Sequence, residues 1–161
     1  MLTGELRSQI NAIWMAFFTG GISNPLGVIE QITYLMFIRR LDDAHALEES
    51  KAMLLKRPMV KRIFPEGKDP KGRPFDDLRW SRFKNFAPAD MHAVVGEHVF
   101  PFLRTGLVTG GGDGSTYASH MKDARFTIPT PALLAKVVDM LDHVPMDDRD
   151  TKGDLYEYML G

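Results

Sequence analysis

Three stretches of this chain carry residue types that chemistry uses. Gly110-Gly111-Gly112-Asp113-Gly114-Ser115-Thr116 has the composition of a phosphate-cradling loop. That task needs backbone N–H groups aimed at phosphate and a lysine reaching its outer oxygens. No lysine precedes Ser115 and no parallel-strand pattern leads into the loop, so a mobile connection is expected instead. Asp148-Arg149-Asp150-Thr151-Lys152-Gly153 opens like a calcium loop. Calcium would need an oxygen ligand at the fifth position and a bidentate Glu at the twelfth, which here are Lys152 and Met159. These acids better suit the positive end of a following helix dipole. The five histidines, at 45, 92, 98, 120 and 143, are scattered without partners at metal-ligand spacing, so no metal is expected.

The third stretch is basic. Residues 51–84 hold 11 Lys/Arg against 4 Asp/Glu, while the rest of the chain holds 9 against 17. A formal net charge of −1 therefore conceals a strongly cationic middle. Lys56, Arg57, Lys61 and Arg62 cluster around Pro58, and Lys68, Lys71 and Arg73 sit in a Pro/Gly-rich loop. Phosphate contacts need only such point charges on a shared face. These seven residues are the candidate DNA contacts. A solvated surface, or one that complements an acidic partner, is the competing reading.

The elements that would position these residues are helical. Leu6, Ile10, Ile13, Trp14 and Phe17 recur at helical spacing over 3–18. Thr19-Gly20-Gly21 stops that helix, and Asn24-Pro25 supplies a cap and a first-turn proline for the next. Residues 32–38 are apolar around most of the helix, which marks the most buried one. Helical character runs on to Pro58, and a short helix is expected from Pro58 to Phe64. Residues 65–74 carry three prolines and two glycines and read as an exposed loop. Trp80, Phe83 and Phe86 return the chain to the core. Pro88 opens a helix with Met91, Val94, Val95, Val99 and Phe102 on one face, kinked or ended at Pro101. A further helix covers 132–141. Phe126-Thr127-Ile128 is the best strand candidate. The expectation is an all-α, single multi-helix domain over 1–161 with long Pro/Gly-rich loops. The absence of cysteine fits a cytoplasmic location, and no apolar run is long enough to span a bilayer.

Two runs resemble a known family. Gly153-Asp154-Leu155-Tyr156-Glu157-Tyr158-Met159-Leu160 is similar to the boundary segment of the modification (M) subunits of type I restriction–modification systems. Ile32-Thr33-Tyr34-Leu35-Met36-Phe37-Ile38-Arg39-Arg40-Leu41-Asp42-Asp43 resembles the apolar helix of their N-terminal domain. The likeness extends from Ile13-Trp14 onward. It implies a helical N-terminal domain whose adenine-N6 methyltransferase domain would follow Gly161. It also implies partners: a specificity (S) subunit, a second M subunit, a restriction (R) subunit and DNA. In that family the N-terminal domains help close the complex around DNA and discriminate unmethylated from hemimethylated sites. S-adenosylmethionine would bind in the catalytic domain. The family's glycine-rich cofactor loop and Asn-Pro-Pro-aromatic motif, which grips a flipped adenine, have no counterpart here, because Asn24-Pro25 is followed by Leu26-Gly27. This chain alone is expected to hold no cofactor and to be inactive. Leu155, Tyr158 and Met159 share one helical face, with Tyr156 and Leu160 on a neighbouring one. That makes Leu155, Tyr156, Tyr158 and Leu160 candidates for docking the absent domain. A stand-alone interaction scaffold or a non-specific DNA-binding module is the alternative.

Overall fold

The computed structural model describes residues 4–22, 24–59, 62–106 and 123–145. Five α-helices carry it: α1 (Gly4–Thr19), α2 (Pro25–Leu54), α3 (Trp80–Phe83), α4 (Pro88–Val94) and α5 (Pro131–Asp142). No strand forms among the described residues, so the all-α expectation holds. No helix among them is long and apolar enough to cross a membrane. The chain gathers into two compact units, Met1–Met36 with Thr127–Gly161, and Phe37–Phe126, and the boundary falls within α2.

In the first unit α1 packs on α5. Leu6, Ile10, Ile13, Ala16 and Phe17 are buried on α1, as are Leu133, Leu134, Val137, Val138 and Leu141 on α5. The stop at Thr19-Gly20-Gly21 has a definite geometry. Ile22 N–H donates to Phe17 C=O at 3.0 Å, Gly21 N–H donates to Phe18 C=O at 3.4 Å, and Gly21 takes φ +109°. This is the Schellman closure, which needs a left-handed residue just past the helix. Gly20 answers a different demand: a Cβ there would sit 2.7 Å from both δ-carbons of Leu133. Asn24 caps α2 as expected, its Oδ1 accepting from Leu26 N–H at 3.1 Å. Thr130 does the same for α5, with Pro131 at the first helical position.

The second unit holds the rest of α2. Its end repeats the Schellman pattern without glycine: Arg57 N–H donates to Ala52 C=O at 3.1 Å, Lys56 N–H to Met53 C=O at 3.3 Å, and Lys56 takes φ +50°. The helix expected from Pro58 to Phe64 does not form among the described residues. The left-handed turn at Lys56 has already redirected the chain, and Pro58 biases Arg57 away from helical backbone. Phe64 is instead buried as a core plug, stacked on Phe102 at 5.4 Å between ring centroids. Trp80 and Phe83 reach the core as expected, while Phe86 is only half-buried. Pro101 neither ends the helical path nor stands at a simple kink. It lies between two wide π-type turns, Val95–Val99 and Phe102–Gly106, that carry the chain on from α4. Phe126-Thr127-Ile128 forms no strand, and Thr127 N–H is taken by the buried Gln31 side chain at 3.2 Å.

Asp42 fixes the second unit. Its side chain is 7% exposed and accepts from Arg79 Nε through one oxygen and from Ser81 N–H at 2.9 Å through the other. Arg79 also meets Glu49 at 2.9 Å. Asp42→Ala leaves the guanidinium half-compensated and Ser81 N–H unsatisfied, and should cost about 3 kcal/mol of stability, read as a lowered urea midpoint.

Candidate nucleic-acid interface

The basic segment is not a uniform strip of free charge. Lys56, Arg57, Lys68 and Lys71 are exposed, and Arg62 and Arg73 are half-buried. Lys61 lies outside the described residues, as do Leu155, Tyr156, Tyr158 and Leu160, the glycine-rich run 110–116 and the acidic run 148–153. Arg73 is held from three sides: Asp77 at 3.0 Å, Asp90 at 3.4 Å, and the Phe86 ring, whose centroid lies 5.4 Å from its Cζ. Its Nε is close to Asp77 yet lacks hydrogen-bond geometry, so the contact with Asp77 is chiefly coulombic. Arg62 pairs loosely with Glu66 at 3.7 Å. Lys71 donates its ammonium to Glu97 C=O at 3.1 Å. Lys56, Arg57 and Lys68 make no side-chain ion pair among the described residues.

Residues 65–74, expected as an irregular loop, are instead ordered around one carboxylate. Asp69 Oδ1 accepts from Lys71 N–H at 3.0 Å and from Arg73 N–H at 2.8 Å. Its Oδ2 lies 2.6 Å from His98 Nδ1. Asp69 N–H donates to Arg73 C=O, Gly72 N–H returns to Asp69 C=O, and Lys68 bridges to Pro74. Gly67 and Gly72 take φ +91° and +88°, which their type permits. The signal was in the sequence: Asp69-Pro70-Lys71-Gly72 places Asp, Pro and Gly at the positions a type I turn prefers. Nothing in the sequence tied that turn to His98, 29 residues away.

Burial pushes the Asp69 carboxyl up. The hydrogen bond from His98, the backbone N–H groups of Arg73 and Lys71, and the His98 charge outweigh it and hold the group below its ordinary 3.8. His45 is shifted the other way for a basic group. Burial lowers its pKa, the Arg79 charge adds to that, Glu49 opposes, Arg62 lowers it further and Asp42 opposes. The neutral ring belongs to the fold, where Nδ1 accepts from Phe64 N–H at 3.3 Å. Among the described residues no group of three or more His, Asp or Glu is placed to hold a metal ion.

This helical architecture with a cationic turn-and-loop segment, and no catalytic cluster among the described residues, defines a domain that positions rather than reacts. The sequence model of the HsdM N-terminal domain matches residues 6–141. The chain belongs to that family, the N-terminal domains of the modification subunit of type I restriction–modification systems. No curated protein and no solved structure was found to match it.

Two acid transitions are expected. His45 is unprotonated in both states well above its ordinary 6.5. As pH falls below that value the unfolded chain binds the proton first, so stability declines through the window beneath 6.5. His45→Gln should flatten that decline in urea midpoints measured across pH. The Asp69 contribution is present above 3.8 and disappears as pH falls through its lower folded value.

Proposed function

We propose that this domain serves an adenine-N6 DNA methyltransferase subunit as a non-catalytic clamp element. It helps the assembled complex close around DNA and takes part in telling unmethylated from hemimethylated sites. Its partners are the specificity subunit, which reads the sequence, a second modification subunit, DNA and, in the full restriction complex, the restriction subunit. Methyl transfer from S-adenosylmethionine belongs to the catalytic domain. The residues proposed to meet phosphate are Lys56, Arg57, Lys61, Arg62, Lys68, Lys71 and Arg73, with Lys56, Arg57 and Lys68 the most available. Leu155, Tyr156, Tyr158 and Leu160 are proposed to dock the catalytic domain.

The observation that carries this reading is Lys56. A left-handed backbone costs a non-glycine residue about 1–2 kcal/mol, and glycine would end α2 without that cost. A strained residue that keeps a long exposed cation points to use of the cation. One observation favours a protein partner at the same place: Met53, Leu54 and Leu55 are 79%, 82% and 58% exposed beside Lys56 and Arg57.

Lys56→Gly should raise stability by about 1 kcal/mol in urea unfolding while weakening DNA binding by the reconstituted complex. Changing Lys56, Arg57, Lys61 and Arg62 together to Ala should flatten the log–log salt dependence of that binding by roughly 0.9 for each phosphate no longer neutralised. Unchanged affinity and slope in a complex that still assembles would remove these residues from the DNA surface. Failure to assemble would assign the patch to a protein partner.

A further inference from the structure

Beside the Asp69 turn, within the second unit, lies a cavity of about 420 Å³. Its size falls within the range of about 300–1,000 Å³ usual for small-molecule sites. Pro70, Phe75, Pro101 and Phe102 supply apolar walls, and the Phe75 and Phe102 rings stand 5.9 Å apart at 58°. The polar groups that reach it are few and mostly committed. Lys71 gives its ammonium to Glu97 C=O, and Thr105 Oγ1 donates to Pro101 C=O at 2.9 Å. Asp69 accepts from His98 and from two backbone N–H groups. A carboxylate held ionised carries no hydrogen, so His98 Nδ1 must be the donor in their 2.6 Å contact. That leaves Nε2 of the neutral ring as an acceptor. His98 has no second hydrogen bond among the described residues, so this acceptor is open.

The backbone here gives an independent sign. Both wide turns, Val95–Val99 and Phe102–Gly106, contribute to the cavity, through His98 on one and Phe102 and Thr105 on the other. Such π-type turns are rare in helices and concentrate at functional sites, because they redirect side chains at a cost in hydrogen-bond geometry.

We propose that this cavity binds a small, uncharged aromatic ring bearing one N–H donor, of the indole type, with the N–H directed to His98 Nε2. The rings and prolines take the flat body, and the oriented imidazole takes the donor. Phosphates and carboxylates are disfavoured because the lining cation is already bonded and two carboxylates stand at the site. The proposal does not depend on the DNA reading.

The test is an NMR titration of the isotope-labelled 161-residue chain with indole near neutral pH. Saturable shifts confined to residues 69–75 and 97–105 are expected. 1-Methylindole, the same ring without the donor, should bind about three- to tenfold more weakly, as the loss of one hydrogen bond requires. Thr105→Phe fills the cavity and should abolish the shifts. His98→Gln keeps a donor for Asp69 but removes the oriented acceptor, so indole and 1-methylindole should then bind alike. The proposal is overturned if no saturable shift appears at millimolar indole or if the shifts map elsewhere. It also fails if the parent chain binds the two ligands equally, or if Thr105→Phe still binds indole once its own spectrum shows it folded.

Discussion

The second unit depends on one buried carboxylate. Asp42 sits on α2 and reaches forward 37 residues to Arg79 and 39 to Ser81. Those two bonds tie the start of α3 to α2, and so set where Trp80 and Phe83 enter the core. A carboxylate placed there must be matched almost completely, since an uncompensated buried charge costs several kcal/mol. Arg79 is compensated in turn by Glu49. The same cluster acts on His45, whose pKa is pushed down by burial and by the Arg79 charge, and His45 then takes the Phe64 N–H. From Phe64 the packing continues to Phe102 and on to Phe75. One ion pair thus orders a polar-to-aromatic series of side chains through the unit.

Most of the helices were legible in the sequence because their ends are local chemistry. Thr19-Gly20-Gly21, Asn24-Pro25, Ala87-Pro88 and Thr130-Pro131 each state a boundary within a few residues, through a left-handed glycine, a side-chain cap or a first-turn proline. The stretch 58–64 departs from its expected helix for an equally local reason that composition hides. A lysine takes the left-handed position normally given to glycine, so the end of α2 carries no glycine to mark it. Pro101 departs from expectation because the rule for prolines assumes regular helical hydrogen bonding on either side. Here the bonding has already widened, with Phe100 N–H reaching Val95 C=O.

The cationic segment shows where counting charge falls short. Its excess of Lys and Arg is genuine, but charge is available to a ligand only after internal claims are met. Asp77 and Asp90 hold Arg73, and Glu97 C=O holds Lys71. Three of the segment's own acids, Glu66, Asp69 and Asp77, serve it at short range. Partners such as His98 and Asp90 come from α4 and the turn beyond it, at separations that no spacing argument reaches. The candidate residues were therefore legible as a cluster, while their division into structural and available cations required the fold.

That division bears on what such a domain can contribute to a DNA complex. Arg73 stacks and pairs in a geometry suited to rigidity, whereas Lys56, Arg57 and Lys68 are exposed points on a turn and a loop. Exposed lysines bind phosphate without a fixed angle, so they supply attraction and register but no base identity. A domain built this way suits an assembly whose sequence reading is done elsewhere. The ordered Asp69 turn then has a mechanical consequence: it holds Lys68 and Lys71 on a short loop pinned at both ends, by Phe75 N–H donating to Gly67 C=O and by Asp69 against His98. Less conformational freedom remains to be lost when that loop meets a charged partner, and preorganisation of this kind converts a weak surface charge into a more effective one.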